Sequence, residues 1–326
     1  MARQPDGAGP RVGAFVRGFF LFLEERGIAA AVLHGWQGDF EGGLSDVDFV
    51  IDERGFGELV GLVNTWCQRQ GWLLCQVLRH ETTAAYCVCA AAADPLAVVA
   101  LDACSDYQRN GLDYLTQTEL LTDRIPLAWG GFRLSDQMEL RYRFAKAAAK
   151  RKDGGDSAAE FANYSAANRR DCEEWLGQRW GIALSGWDAR GLSDSIRVLR
   201  RSPGSAPLRF AGRWLVKLAA RMFRPAGLVV VAGARPSAEV ARLAEIFGHL
   251  YFRRVERAER WRMGQVVAIY RSTLVLVEQM PGWVRRVVPP GWALTLAPEW
   301  APEECEKRVV RGLHERCAKR EMLGSA

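Results

Sequence analysis

Residues 33–52 read LHGWQGDFEGGLSDVDFVID. An apolar run from Ala29 to Leu33 precedes Gly35, and a loop of glycine and acidic residues follows through Gly38, Asp39, Glu41, Gly42 and Gly43. From Ser45 the chain alternates through Asp46, Val47, Asp48 and Phe49 before an apolar end at Val50 and Ile51. Alternation with period two is the pattern of a half-buried strand, and it sets Asp46 and Asp48 on one face. Two carboxylates so placed repel each other unless a cation lies between them. A hard divalent ion such as Mg²⁺ takes oxygen ligands and commonly uses one or two carboxylates with substrate phosphates. The same pair also fits the solvated face of an ordinary strand.

The flanks supply a sheet and its helices. A helix is expected over 11–26, with Val12, Phe15, Phe19, Phe20 and Leu23 near helical spacing. A second is expected over 55–70, with Phe56, Leu59, Val60, Val63 and Trp66 on one side. Three strand candidates follow, Trp72–Leu78, Ala84–Ala90 and Pro95–Asp102, and the last is an apolar run ending in an acid. Ser135 can cap a helix to about residue 152, with Asp136 in its first turn and Lys146, Lys150, Arg151 and Lys152 toward its end, as the helix dipole favours.

Gly154-Gly155 marks a boundary, and residues 157–200 read as helical and basic. Over 208–224, Arg209, Arg213, Lys217 and Arg221 form one stripe and Phe210, Trp214, Leu218 and Met222 the next. Such a helix can lie on an anionic membrane surface, or pack its apolar stripe on the protein. Leu228–Ala232 then reads as a buried parallel strand, followed by Gly233 and a helix pattern through Phe247. A working P-loop needs a second glycine, a lysine for the phosphates and Ser or Thr for Mg²⁺. Ala238, Glu239 and Val240 stand there instead, and Glu239 would repel a phosphate. Trp292–Leu296 reads as a late strand and Pro302–Lys319 as a closing helix.

With 326 residues, 49% apolar and 25% charged, the chain can build two cores. It has no apolar run near the roughly 18 residues of a membrane span. The eight cysteines include no CxxC pair and the four histidines are scattered, which argues against zinc and for reduced thiols in a cytoplasmic protein. Residues 1–150 carry 14 basic and 19 acidic residues, and the remainder a net charge of +11. A basic second half points to phosphate contacts, whether nucleotide, nucleic acid or the lipid headgroups of an inner membrane face.

A strand ending at Gly35, a loop, and Ser45-Asp46-Val47-Asp48 eleven positions after the glycine resemble the signature of the DNA polymerase beta-like nucleotidyltransferase superfamily. The resemblance implies an α/β fold, with an α+β nucleotidyltransferase core built on a short mixed sheet, over residues 1–152. It implies a two-metal Mg²⁺ site held by Asp46, Asp48 and a third acid on a neighbouring strand, Asp102. Gly35, Trp36 and Ser45 would line the nucleotide. Trp36 departs from the small residue whose backbone approaches the triphosphate in that family. Lys146, or Arg141 or Arg143 beside it, would meet the triphosphate from the helix after the core.

Residues 106–115 are similar to a loop of bacterial nucleotidyltransferase-like proteins found with polysaccharide-assembly enzymes, which implies a sugar, glycolipid or small-metabolite acceptor more than a nucleic acid. Residues 153–206 would form a helical linker. Residues 207–326 look like a thymidylate kinase-like P-loop domain in degenerate form, with a smaller parallel sheet. The expected activity is transfer of a nucleoside monophosphate from a nucleoside triphosphate to a hydroxyl or phosphate. The alternative is a non-catalytic scaffold or regulatory binding protein that kept both folds.

Overall fold

The computed structural model describes residues 9–35, 40, 46–109, 112–150, 154–201, 212, 227–248, 251–252, 254–258, 273–288 and 291–324. The basic helix expected over 208–224 therefore lies outside the described residues, Gly212 excepted.

The first part of the chain runs α1 (Gly9–Glu25), β1 (Ala30–Val32), β2 (Val47–Ile51), α2 (Glu53–Gln70), β3 (Trp72–Glu81), β4 (Ala84–Ala91) and β5 (Val98–Cys104). It continues with β6 (Tyr107–Arg109), β7 (Leu112–Leu115), α3 (Gln117–Leu121), β8 (Ile125–Pro126), β9 (Phe132–Arg133) and α4 (Asp136–Lys150). Three further helices follow, α5 (Gly154–Phe161), α6 (Ala166–Trp180) and α7 (Ala189–Arg201). The last part holds β10 (Leu228–Val231), α8 (Ser237–Phe247), β11 (Arg254–Ala258), β12 (Thr273–Val277), α9 (Gly282–Val287), β13 (Ala293–Thr295) and α10 (Pro302–Gly324). The protein is α/β, with a seven-stranded mixed sheet and a four-stranded parallel one.

The seven strands lie in the order β3-β4-β5-β2-β1-β9-β8. Period-two side-chain direction divides each strand between the two faces. Val47, Phe49 and Ile51 of β2 and Val99, Leu101 and Ala103 of β5 point into one core with Phe15, Phe19, Phe20 and Leu23 of α1 and Leu59 and Val63 of α2. The Phe49 ring sits edge-on to Phe20 at 5.4 Å. Burying each such aromatic stabilises the fold by about 1.5–3 kcal/mol. Asp52 joins strand to helix: its carboxylate accepts from Ala29 N at 2.7 Å and from Gly55 N at 2.7 Å, where it caps α2.

The opposite face is divided. Over β1 and β2, Ala31, Leu33 and Val50 share a core with Leu140 and Phe144 of α4, Phe161 of α5, Leu176 of α6 and Ile196 of α7. Over β3 and β4, Cys75, Val88 and Ala90 share a core with Leu228, Leu274, Phe247 and Leu313 from the last part of the chain. Tyr251 donates to Pro95 O at 2.9 Å, and His314 Nδ1 meets Leu74 O at 3.0 Å. The parallel sheet, in the order β11-β12-β10-β13, thus abuts the first sheet through α10 and the Tyr251 corner. All eight cysteines are buried and unbridged. No helix among the described residues is long and apolar enough to cross a membrane.

Candidate active site

The two packed bodies on the divided face leave a cleft between them. Asp48, on the face of β2 opposite Phe49, and Asp102, on the face of β5 opposite Leu101, form its floor. The strands are parallel, and Asp48 and Asp102 are direct register partners. Asp46 lies one residue ahead of β2 on the same wall. One carboxylate oxygen from each of the three acids falls within 4.8 Å of the others.

The row continues across the sheet. Asp102 pairs with Tyr86 on β4, and Tyr86 with Leu78 on β3. Four strands therefore present Asp48, Asp102, Tyr86 and Leu78 side by side, acidic at one end and apolar at the other. At a strand spacing of about 4.8 Å the row is about 14 Å long.

α4 forms the wall beside the acids. Its start is fixed by Ser135, whose hydroxyl accepts from Met138 N at 3.3 Å. Tyr142, Lys146 and Lys150 recur every four residues and so share a face, and all three line the cleft. Lys146 Nζ lies 2.6 Å from Asp48 Oδ2 and contacts His34 Nε2. His34 Nε2 is itself 2.5 Å from the same carboxylate oxygen. The β6–β7 hairpin adds Tyr107, whose ring meets Tyr142 edge-on at 4.9 Å, and Arg109. Phe252, from the last part of the chain, also lines the cleft. The cleft is partly open to solvent, and its cavity is about 260 Å³.

The charges settle unequally. Burial alone would raise Asp48, but the His34 hydrogen bond and the Lys146 charge outweigh it and hold the carboxyl well below the usual range. Burial, followed by the charges of Asp48 and Asp46, pushes Asp102 up to about 8, with Arg109 opposing. Burial and then the neighbouring Lys146 depress Lys150.

Three oxygen donors this close, one of them kept protonated at neutral pH by burial and by the other two, form a donor set of the kind hard divalent cations take. Asp46, Asp48 and Asp102 are the residues that would hold such an ion. Lys146 and His34 already neutralise Asp48, so an ion there would share or displace those contacts.

Of the residues singled out from sequence, Asp46, Asp48, Asp102 and Lys146 meet in this cleft. Gly35 is exposed with φ +75, a left-handed turn that favours glycine, directly after His34, and it is not among the described residues that line the cleft. Trp36 and Ser45 lie outside the described residues. Arg141 is bound to Asp171 at 2.7 Å, and Arg143 pairs with Glu139 at 2.7 Å and with Glu160, so both tie α4 to neighbouring helices or to itself rather than entering the cleft.

His34, Tyr86 and Phe252 carried no sequence signal of their own, and Arg109 stood within the 106–115 loop without a role assigned to it. The quoted stretch contains His34, but only the β1–β2 pairing and the reach of α4 bring it to Asp48.

The glycine turn after β10 is followed by an internal ion pair. Arg235 holds Glu239 of α8 at 2.8 Å and donates to the carbonyls of Ala297 and Trp300. An ion pair thus occupies the end of the parallel strands, the place where open α/β sheets receive ligands. No family model, curated protein or solved structure matches the chain.

Proposed function

We propose that the protein is a Mg²⁺-dependent nucleotidyltransferase, moving a nucleoside monophosphate from a nucleoside triphosphate to a hydroxyl or phosphate acceptor. The observation that carries this reading is the in-register pair Asp48–Asp102 with Asp46 beside it, facing the cationic wall of Lys146, Lys150 and Arg109. Acids alone attract metal and repel phosphates. Cations alone bind phosphates without a metal. A cleft carrying both within one small cavity suits a metal–triphosphate complex.

In this reading Lys146 leaves Asp48 for the triphosphate when the nucleotide enters, and Lys150 and Arg109 meet its remaining oxygens. An acceptor oxygen attacks the α-phosphorus, and the bond to the bridging oxygen breaks, so pyrophosphate leaves with the electron pair. The Asp102 carboxylate, once ionised, orients a hydroxyl acceptor and takes its proton for delivery to solvent. Bound Mg²⁺ would supply positive charge at the reacting oxygens and lower the pKa of the acceptor hydroxyl. A cavity of about 260 Å³ favours a small acceptor such as a sugar or glycolipid headgroup over a nucleic-acid strand.

A second reading rests on the satisfied state of Asp48. A carboxylate already neutralised by Lys146 and His34 needs no metal, and the Arg235–Glu239 pair closes the other glycine turn. A scaffold or regulatory protein would keep such contacts permanently.

Calorimetric titration of each nucleoside triphosphate with Mg²⁺ separates the two, using wild type and Asp46→Asn/Asp48→Asn. Metal-dependent binding abolished by the double substitution supports the enzyme. No binding of any triphosphate to wild type defeats it and favours the scaffold.

A further inference from the structure

The apolar end of the cleft floor is unused by the chemistry proposed above. Tyr86 is the register partner of Asp102, so its ring begins about 4.8 Å, one strand spacing, from the third acid. Leu78 lies one strand further, and Phe252 closes the back of the same space. Two cations of the cleft, Lys146 and Lys150, stand on α4, while Arg109 lies on the hairpin, whose Gln108 accepts from Thr82 of the β3–β4 turn at 3.1 Å.

The cavity therefore suits a ligand with an anionic end and a flat, apolar-faced end, joined across the acids. A nucleoside triphosphate has that polarity. With its α-phosphate at the acids and its outer phosphates toward α4, the apolar surface within reach of the base is the one over β4 and β3.

We infer that Tyr86, Leu78 and Phe252 form a base-stacking subsite, so that the last part of the chain helps to read the nucleotide. The inference rests on the nucleotidyltransferase reading. Tyr86 is the platform, because it is half-buried and stands in the floor beside Asp102. Phe252 is only 1% exposed and packs in the core shared with Cys75, Val88 and Ala90, so it lines the cavity as a fixed wall and not as a stacking platform. Its position is fixed by the Tyr251 hydrogen bond to Pro95 O. The α/β unit whose glycine turn is sealed by Arg235 and Glu239 thus has a place in nucleotide recognition through its flank.

The test compares Mg²⁺-dependent binding of inorganic tripolyphosphate with that of ATP, CTP, GTP and UTP. Each is titrated into the full chain and into Tyr86→Ala, Tyr86→Phe and Phe252→Leu. Stacking one base on an aromatic side chain changes affinity by about five- to a hundredfold. At least one nucleotide is expected to bind wild type that much more tightly than tripolyphosphate. Tyr86→Ala should erase the margin while leaving tripolyphosphate binding within about twofold, Tyr86→Phe should keep it, and Phe252→Leu should reduce it.

Tripolyphosphate binding with no nucleotide preference, or a margin untouched by Tyr86→Ala, overturns the subsite while leaving the metal–triphosphate reading intact. Failure of wild type to bind either tripolyphosphate or any nucleotide overturns both.

Discussion

Asp48 on β2 and Asp102 on β5 are register partners, yet their carboxyls are driven in opposite directions. For Asp48, His34 and Lys146 overcome burial and hold the group ionised. For Asp102, burial and the two neighbouring acids raise the group to about 8. Paired acids whose environments push them apart occupy distinct roles. Asp48 offers a permanent charge, and Asp102 one that appears only when a cation arrives or the pH rises.

The metal-free protein should therefore lose stability as pH rises through neutrality. A carboxyl with a raised native pKa binds more protons folded than unfolded between the two values. Its stabilising contribution is complete below the unfolded value of about 4 and is lost progressively up to about 8. Asp102→Asn carries no such charge, so without metal its melting temperature should exceed that of wild type at pH 8 and approach it near pH 4. Identical pH slopes for the two proteins would exclude a buried, raised Asp102.

Metal binding should release a proton. At pH 7 the Asp102 carboxyl is mostly protonated and must ionise to become a ligand. Titration of Mg²⁺ in buffers of different ionisation enthalpy should give close to one proton released at pH 7, falling toward zero above about pH 9. Asp102→Asn should show none. Release that is the same for both proteins would place the ionising group elsewhere.

The Asp48–Asp102 relationship was only partly legible in the chain. The alternation from Ser45 to Ile51 and the apolar run ending at Asp102 identify two strands and three acids, because period-two patterning is local. Which strands are neighbours is not local. The register that sets Asp102 against Asp48 on one side and Tyr86 on the other depends on β5 pairing with both β2 and β4 across the sheet. Lys146 could be named because the resemblance places a basic residue of the helix after the core at the triphosphate, but the same argument served Arg141 and Arg143 equally. What distinguishes them is helix phase: Lys146 shares a face with Tyr142, whereas Arg141 and Arg143 meet Asp171, Glu139 and Glu160. β11 and β12 lacked legible boundaries, and Phe252 just ahead of β11 therefore could not be placed against the cleft.

Lys146→Ala should destabilise the metal-free protein more than the metal-bound one. The Lys146 and Asp48 side chains are 17% and 14% exposed, so their contact is sheltered from solvent though not sealed from it. Removing one partner of a buried pair costs about 3–5 kcal/mol, and residual solvent access with His34 still in place lowers the expectation to about 1–3 kcal/mol. Saturating Mg²⁺ should recover much of this, since the ion replaces the missing charge beside Asp48. Denaturant unfolding with and without Mg²⁺ measures both terms. Equal losses in the two conditions would mean that no ion reaches Asp48.

Asp52→Ala should weaken the support beneath the site without touching the cleft. The Asp52 carboxylate accepts from Ala29 N, just ahead of β1, and from Gly55 N in the first turn of α2, each at 2.7 Å. One side chain thus joins the strand leading to His34 to the helix that covers the back of Asp48's strand. Loss of an N-cap costs about 1 kcal/mol, and a second unsatisfied backbone donor adds about 1 kcal/mol more. Asp52→Asn keeps an acceptor oxygen for one of the two donors and should lose roughly half as much. Denaturation midpoints of the three proteins measure this order, and Mg²⁺ binding by the two variants should stay within about twofold of wild type under native conditions, because a 1–2 kcal/mol loss leaves a domain of ordinary stability folded. A large drop in Mg²⁺ affinity with little loss of stability would instead make Asp52 part of the metal site's electrostatics rather than of its scaffold.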